Sequence, residues 1–366
     1  MKNRAEVRVS EQAIAHNIAR AKGDSTADVL AVVKANAYGH GLIPVAKAAL
    51  ANGATWLGTA LLEECIELRK AGISAPVIAW LTPPGEDFVE AIKLGIDLAV
   101  PSIASLNEIS SASQKAGKRA RIHIEVDTGM TRGGLLEEWS EFLTQLPQAE
   151  VDVVGIWTHF ARADEPLSEY TEIQMNNFES KIAELKAIGI NPQFIHCANS
   201  AATLRGIGTS QNILRLGISL YGLSPDVEHM GSSVALDLQP AMTVAAKLHL
   251  VKRVPAGSPV GYGGTAITEK DTYLGVVAMG YSDGIPRNAT SVAGVTWNGV
   301  KAPIIGRVSM DQFVVDLGPD SQAKAGDEVL VISEAGYTAD DWAAACGTIN
   351  YEIVTRIAAR LPRIMA

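Results

Sequence analysis

Ala31-Val32-Val33-Lys34-Ala35-Asn36-Ala37-Tyr38-Gly39-His40-Gly41 closes a short apolar run on a single lysine. The run Val29–Val33 reads as a buried strand, because it is short, rich in β-branched residues and followed by turn residues. Gly-His-Gly then punctuates the chain before a helical-looking segment. A lysine at a strand exit stands between apolar walls and an open mouth. Desolvation there disfavours the ammonium form, which makes the amine a usable base or Schiff-base nucleophile. Taken alone, the same lysine suits a side chain that snorkels out to water. The rest of the chain decides between the two.

Outward from this strand the pattern repeats: apolar run, turn, helical segment. The candidate strands are Val29–Val33, Trp56–Thr59, Pro76–Trp80, Asp97–Val100, Ile122–Val126, Val153–Trp157, Gln193–Ile195 and Ile213–Leu216. Amphipathic stretches such as Leu61–Ala71, Ser102–Ala116 and Gln174–Ile188 lie between them. Strands alternating with helices predict parallel βα units. Eight units before about Leu223 fit a (β/α)8 barrel, with an open doubly wound sheet as the competitor. Lys34, Asp127, His159, Asn199 and Arg215 all fall at or near the C-terminal ends of these strands. A barrel builds its active site on that face.

Beyond Ser224-Pro225-Asp226 the pattern changes to β-rich runs: Met242–Val251, Thr272–Ala278, Val292–Trp297, Pro303–Ile305, Phe313–Val315 and Glu328–Ile332. Helical stretches return only around Asp340–Cys346 and Tyr351–Arg360. The expected organisation is a barrel over residues 1–225 and a mainly β domain over 226–366. The extreme N-terminal strand is expected to be able to pack with the second domain.

Composition narrows the function. The 366 residues carry 47% hydrophobic and 19% charged side chains, as a folded protein does. The net charge of −9 disfavours nucleic acid and anionic membrane surfaces as partners, since both reward excess Lys and Arg. No apolar run approaches the ~18–20 residues of a membrane span, and the N-terminus lacks a signal-peptide core. Cys65, Cys197 and Cys346 are sparse and far apart, which argues against a disulfide framework or a metal site and for a reducing cytoplasm.

Nine motifs in order then carry a specific resemblance. They are AVVKANAYGHG (31–41), EVDTGMTRGG (125–134), THFARAD (158–164), HCANSAA (196–202), RLGISLYG (215–222), VGYGGT (260–265), GYSDGIPR (280–287), GRVSMDQ (306–312) and INYE (349–352). Over nearly its whole length the chain resembles alanine racemase, a fold type III family dependent on pyridoxal 5′-phosphate. That resemblance implies a (β/α)8 barrel followed by a β domain, in agreement with the pattern above. It also implies a homodimer with shared active sites, acting on a small amino acid and making D-alanine for peptidoglycan.

Residue by residue, Lys34 matches the lysine that forms the Schiff base with the cofactor and serves as one base. Tyr281 matches the second base, on the opposite face. An unperturbed tyrosine titrates near ~10, so it needs assistance to act near neutral pH. Arg215 matches the arginine facing the pyridine nitrogen. It donates a hydrogen bond but cannot give up its proton, and so leaves the ring a weaker electron sink. His159 matches a histidine bonded to that arginine. Tyr38, Ser200 and Tyr351 match hydroxyl donors to the phosphate, Gly217 and Ile218 match backbone donors to it, and Asn199 belongs to the same cofactor set. Arg132 matches the contact to the substrate carboxylate, and Met310 a backbone donor to that carboxylate. Asp311 and Asp127 are expected to orient neighbours. Glu125 stands where the family often has a lysine, commonly carbamylated. It is expected to supply directly the anion that pairs with Arg132. Ser309 stands where the family often has cysteine. A relative acting on serine, a fold type III decarboxylase and a non-catalytic cofactor carrier are the competing functions. The paired GYSDG and RLGISLYG motifs favour a racemase over a decarboxylase, and the second domain counts against a carrier.

Overall fold

The computed structural model describes residues 3–289 and 291–366. The chain divides into two compact units. One takes in residues 14–37 and 42–239, the other the chain up to residue 13 with 38–41 and 240–366.

The first unit is the barrel. Its eight strands are Asp28–Val32, Trp56–Thr59, Val77–Ala79, Asp97–Val100, Ala120–Glu125, Val151–Trp157, Phe194–His196 and Ile213–Leu216. All seven ladders between neighbours are parallel, and Ile213–Leu216 pairs back onto Asp28–Val32. Across the remaining gap, the Arg215 N–H donates to the Ala198 carbonyl at 3.1 Å and the Ile195 N–H to Asn212 Oδ1 at 2.7 Å. The eight-stranded sheet is thus a nearly closed ring and not an open doubly wound sheet. Such strands are buried on both faces, which is why they read as short continuous apolar runs. The helices between them have definite ends. Ser102 caps Ile103–Ala116 by accepting from the Ser105 N–H, and Gly117 closes it at φ 64°.

Residues 226–239, expected in the second domain, group with the barrel unit. Side chains bind them there. Asn17 Oδ1 accepts the Gln239 N–H, Asn17 Nδ2 donates to the Gln239 and Leu220 carbonyls, and the Ser224 N–H donates to Ser233 Oγ.

The second unit is built on an eight-stranded sheet around the long strand Met242–Val254. The N-terminal strand Ala5–Val9 joins it, antiparallel to Met242–Val254 and parallel to Arg363–Met365. Two expected elements differ. Pro303 ends the strand Val300–Pro303, and Ile304 makes only an isolated bridge to Val315. The last helix runs Asn350–Thr355 and stops short of Arg360. Arg360 turns its side chain instead onto Asp283 and Asp311.

Candidate active site

In the barrel unit, Lys34 follows the first barrel strand and opens an unusual turn. Ala35, Asn36, Ala37 and Tyr38 have φ of 54, 54, 54 and 51°, a left-handed helical turn of non-glycine residues. Each such residue costs roughly 1–2 kcal/mol, so the surroundings must hold it. Glu64 Oε1 accepts the Ala35 N–H at 2.6 Å, while its Oε2 takes the Ala60 and Leu61 N–H groups, both at 3.1 Å. Asn36 Oδ1 accepts from Leu42, and the Ala37 N–H from inside the turn reaches the Val33 carbonyl. Gly39, at φ 80°, has no room for a Cβ, which would lie 2.1 Å from the Val354 carbonyl oxygen within the second unit. Burial lowers the Lys34 pKa, helped by Arg132 and Arg215 and opposed by Glu64.

Arg215 is buried and tightly held. It is 3% exposed and has no carboxylate in contact among the described residues. Its Nη1 donates to the His196 carbonyl at 2.8 Å and lies 3.3 Å from His196 Nδ1. Nη2 donates to the Thr158 and Cys197 carbonyls at 2.9 and 3.0 Å, and lies 3.4 Å from His159 Nδ1. The guanidinium carbon sits 5.4 Å from the centre of the Trp157 ring. Of the five guanidinium N–H donors, only Nε–H has no protein acceptor among the described residues. Burial lowers Arg215 to about 10, still cationic at neutral pH. Burial, and then the charges of Arg215, Arg132 and Lys34, hold His159 well below the ordinary histidine range, so it is neutral.

Ser200 and Asn199 stand beside this group. Ser200 Oγ gathers the Gly217 N–H at 2.9 Å, the Ser219 N–H at 3.3 Å and the Ser219 hydroxyl at 2.9 Å. The junction after the last barrel strand, where Gly217 and Ile218 lie, is therefore rich in donors. Asn199 caps the short helix Ser200–Leu204 through the Ala202 N–H and donates to the Phe160 carbonyl.

Glu125 and Arg132 share one cleft with Asp127, Met130, Thr158 and His159. Asp127 Oδ1 accepts the Gly129 and Thr131 N–H groups at 2.9 and 3.1 Å and so shapes the loop that carries Arg132. Glu125 and Arg132 form no ion pair within 4 Å among the described residues, in contrast to the expected direct pairing. Glutamate is shorter than a carbamylated lysine, and a Cβ on Gly133 would lie 3.1 Å from Glu125 Oε1. The two groups still sense each other. Burial raises the Glu125 carboxyl to about 7, with Arg132 and Arg215 pulling it down. A larger open cavity of about 650 Å³ lies at the other end of the barrel, between Arg20 and Asn212, and contains none of the expected site residues.

In the second unit, Tyr281 opens a 3-10 turn, Tyr281–Asp283, and is 40% exposed. Two arginines clamp the turn. Asp283 is buried and takes Arg4 on both oxygens, at 2.6 and 3.1 Å, and Arg360 Nε at 2.6 Å. Burial pushes the Asp283 carboxyl up, but the bonds from Arg360 and Arg4 outweigh it and hold it below the usual range. Asp311 accepts from Arg360 at 2.7 Å and from the Ser282 hydroxyl at 2.9 Å, while the Met310 carbonyl accepts the Ser282 N–H. Tyr38 and Tyr351 also belong to this unit, with ring centroids 6.3 Å apart.

Known proteins share this fold. Residues 9–225 match the alanine racemase N-terminal domain model and residues 241–365 the C-terminal domain model. The chain belongs to the alanine racemase family. It is 47% identical to an alanine racemase of Frankia casuarinae, covering 94% of this chain and 91% of that one. It is 46% identical to one of Thermobifida fusca, covering 100% and 98%. The crystal structure of alanine racemase from the D-cycloserine producer Streptomyces lavendulae superposes with a TM-score of 0.96 at 42% identity, covering 100% and 98%. The barrel with its β-rich second unit is thus the family fold, and amino-acid racemisation is the family's enzyme class. Among the described residues no helix is long and apolar enough to cross a membrane.

Proposed function

We propose that this chain interconverts L- and D-alanine with pyridoxal 5′-phosphate at the barrel mouth, using two proton carriers on opposite faces of the substrate Cα. One observation carries the reading: Arg215 is a buried guanidinium with every donor except Nε–H engaged among the described residues, within electrostatic reach of a lysine whose pKa burial lowers. That donor set fits the cofactor. Lys34 would hold its aldehyde carbon and Arg215 Nε–H its ring nitrogen. Ser200 and the Gly217 and Ile218 N–H groups would take its phosphate. When bound, the cofactor supplies an electron-withdrawing system that acidifies the Cα proton.

The chain's own groups do the rest. Burial, and then the charges of Arg132 and Arg215, lower the Lys34 pKa, which suits the amine to take or return a proton at Cα on its face. Tyr281 does the same from the opposite face, its turn fixed by Asp283 between Arg4 and Arg360. Arg215 stays protonated and so does not hand a proton to the ring, which holds the reaction to racemisation. Arg132 takes the substrate carboxylate, with the Met310 N–H donating to it from the other subunit of the dimer proposed below. Glu125 balances the charge of Arg132 through space, without a direct bond. Asp311 steadies Ser282 beside Tyr281.

The proposed working unit is a homodimer in which Tyr281 of one subunit acts opposite Lys34 of the other. Support comes from the resemblance to the family and from the exposure of Tyr281 itself, at 40%. The proposed role is supply of D-alanine for peptidoglycan in the cytoplasm. Reductive trapping with borohydride, followed by peptide mapping, tests the cofactor assignment. The label should sit on Lys34, and a label on any other lysine overturns the reading.

A further inference from the structure

Below the barrel mouth an unbroken line of polar side chains runs through the interior. Asp97, the first residue of its strand, takes Arg121 Nε and Nη2 at 2.8 and 3.0 Å. Asp97 Oδ2 lies 3.1 Å from His123 Nε2. His123 Nδ1 lies 2.9 Å from His196 Nε2, and His196 Nδ1 lies 3.3 Å from Arg215 Nη1. Asp97, His123 and His196 are at most 2% exposed. The line climbs from strand N-termini to strand C-termini, ending at the guanidinium.

Barrel interiors are ordinarily filled by branched apolar side chains. Polar groups there must be bonded or they cost stability. Here the room is built for them. A Cβ on Gly155 would lie 2.0 Å from His123 Nδ1, so only glycine leaves space for the bond between the two histidines. Phe194 stacks on His123 and Trp157 on His196, with ring centroids 6.1 and 6.0 Å apart.

The line has one direction. Ionised Asp97 only accepts, so His123 carries its proton on Nε2. His123 Nδ1 is then an acceptor, which places the His196 proton on Nε2. His196 Nδ1 is left as a lone pair, and it receives the Arg215 Nη1–H. The opposite assignment sets N–H against N–H at Arg215. We propose that Asp97 and His123 are positioning residues which fix the His196 tautomer and thereby aim Arg215, with Nε–H outward. The inference rests on the proposed place of Arg215 at the cofactor ring nitrogen.

The test is 15N NMR of histidine-labelled full chain, before and after loading with pyridoxal 5′-phosphate, together with cofactor affinity. The wild type should show His196 protonated at Nε2 and bare at Nδ1. Asp97→Asn and His123→Leu should move proton density onto His196 Nδ1. They should also weaken cofactor binding about five- to tenfold, as expected for one misdirected hydrogen bond. His123→Gln should keep the wild-type tautomer and affinity, because its amide can donate to Asp97 and accept from His196. A wild-type His196 protonated at Nδ1 overturns the proposal even if no variant folds. So does an unchanged tautomer in folded Asp97→Asn or His123→Leu. The tautomer is read without cofactor, which separates it from the reading of Arg215. That reading fails on its own if Arg215→Gln leaves the bound-cofactor absorbance unchanged.

Discussion

Replacing Glu125 with glutamine should separate stability from activity. Burial lifts this carboxyl from 4.5 to about 7, against the pull of Arg132 and Arg215. Raising the value that far costs the charged form ~3 kcal/mol, at ~1.4 kcal/mol per tenfold change in proton affinity. The folded chain binds the proton more tightly than the unfolded chain. Stability from this group is therefore fully present below 4.5 and is lost as pH rises through about 7. Glu125→Gln should be as stable as the wild type at pH 4 and more stable at pH 8, by up to that amount. Activity should move the other way. From a value of about 7, roughly a tenth of the carboxyls are ionised at pH 6 and roughly nine-tenths at pH 8. If the anion steadies Arg132 for the substrate carboxylate, the wild-type to variant ratio of kcat/KM should climb toward tenfold across that interval. KM for alanine should rise in the variant while the cofactor stays bound. Thermal melts and steady-state kinetics at both pH values, with saturating cofactor, measure the two effects. A ratio that does not change with pH refutes the reasoning, as does a clear gain in wild-type activity on adding bicarbonate.

Tyr281→Phe should keep the cofactor absorbance and lose racemisation by ~10²–10⁴-fold, the usual share of a general acid–base group. Mixing it with inactive Lys34→Ala chains should restore part of the activity, since a mixed dimer would hold one site free of both changes. No recovery after confirmed subunit exchange argues against shared sites. Glu64→Ala frees the Ala35 N–H and should relax the left-handed turn that carries Lys34. The expected outcome is weaker cofactor binding with little change in melting temperature, and wild-type affinity in Glu64→Ala would contradict the clamp.

The barrel was legible because its strands are short apolar runs, and Trp56–Thr59 and Asp97–Val100 have the bounds their sequence suggests. The left-handed turn was not. Ala35, Asn36, Ala37 and Tyr38 carry no glycine to announce positive φ, and the clamp that permits it comes from Glu64, distant in sequence. The histidine line was also missed, although a signal existed. Arg121, His123 and Glu125 alternate along one strand, which places all three on one face. That Glu125 and Arg132 form no ion pair among the described residues was not legible either, because side-chain reach depends on the loop that Asp127 shapes. The terminal strands Ala5–Val9 and Arg363–Met365 are short, and what stabilises them is the long-range pairing between them and with Met242–Val254.

The most direct test incubates the cofactor-loaded protein with L-alanine in deuterium oxide and follows optical activity and Cα deuteration together. The account predicts decay to equal amounts of the two enantiomers, with deuterium at Cα of both, and no reaction in Lys34→Ala. Retention of pure L-alanine, or its conversion to pyruvate or ethylamine without D-alanine, would contradict it.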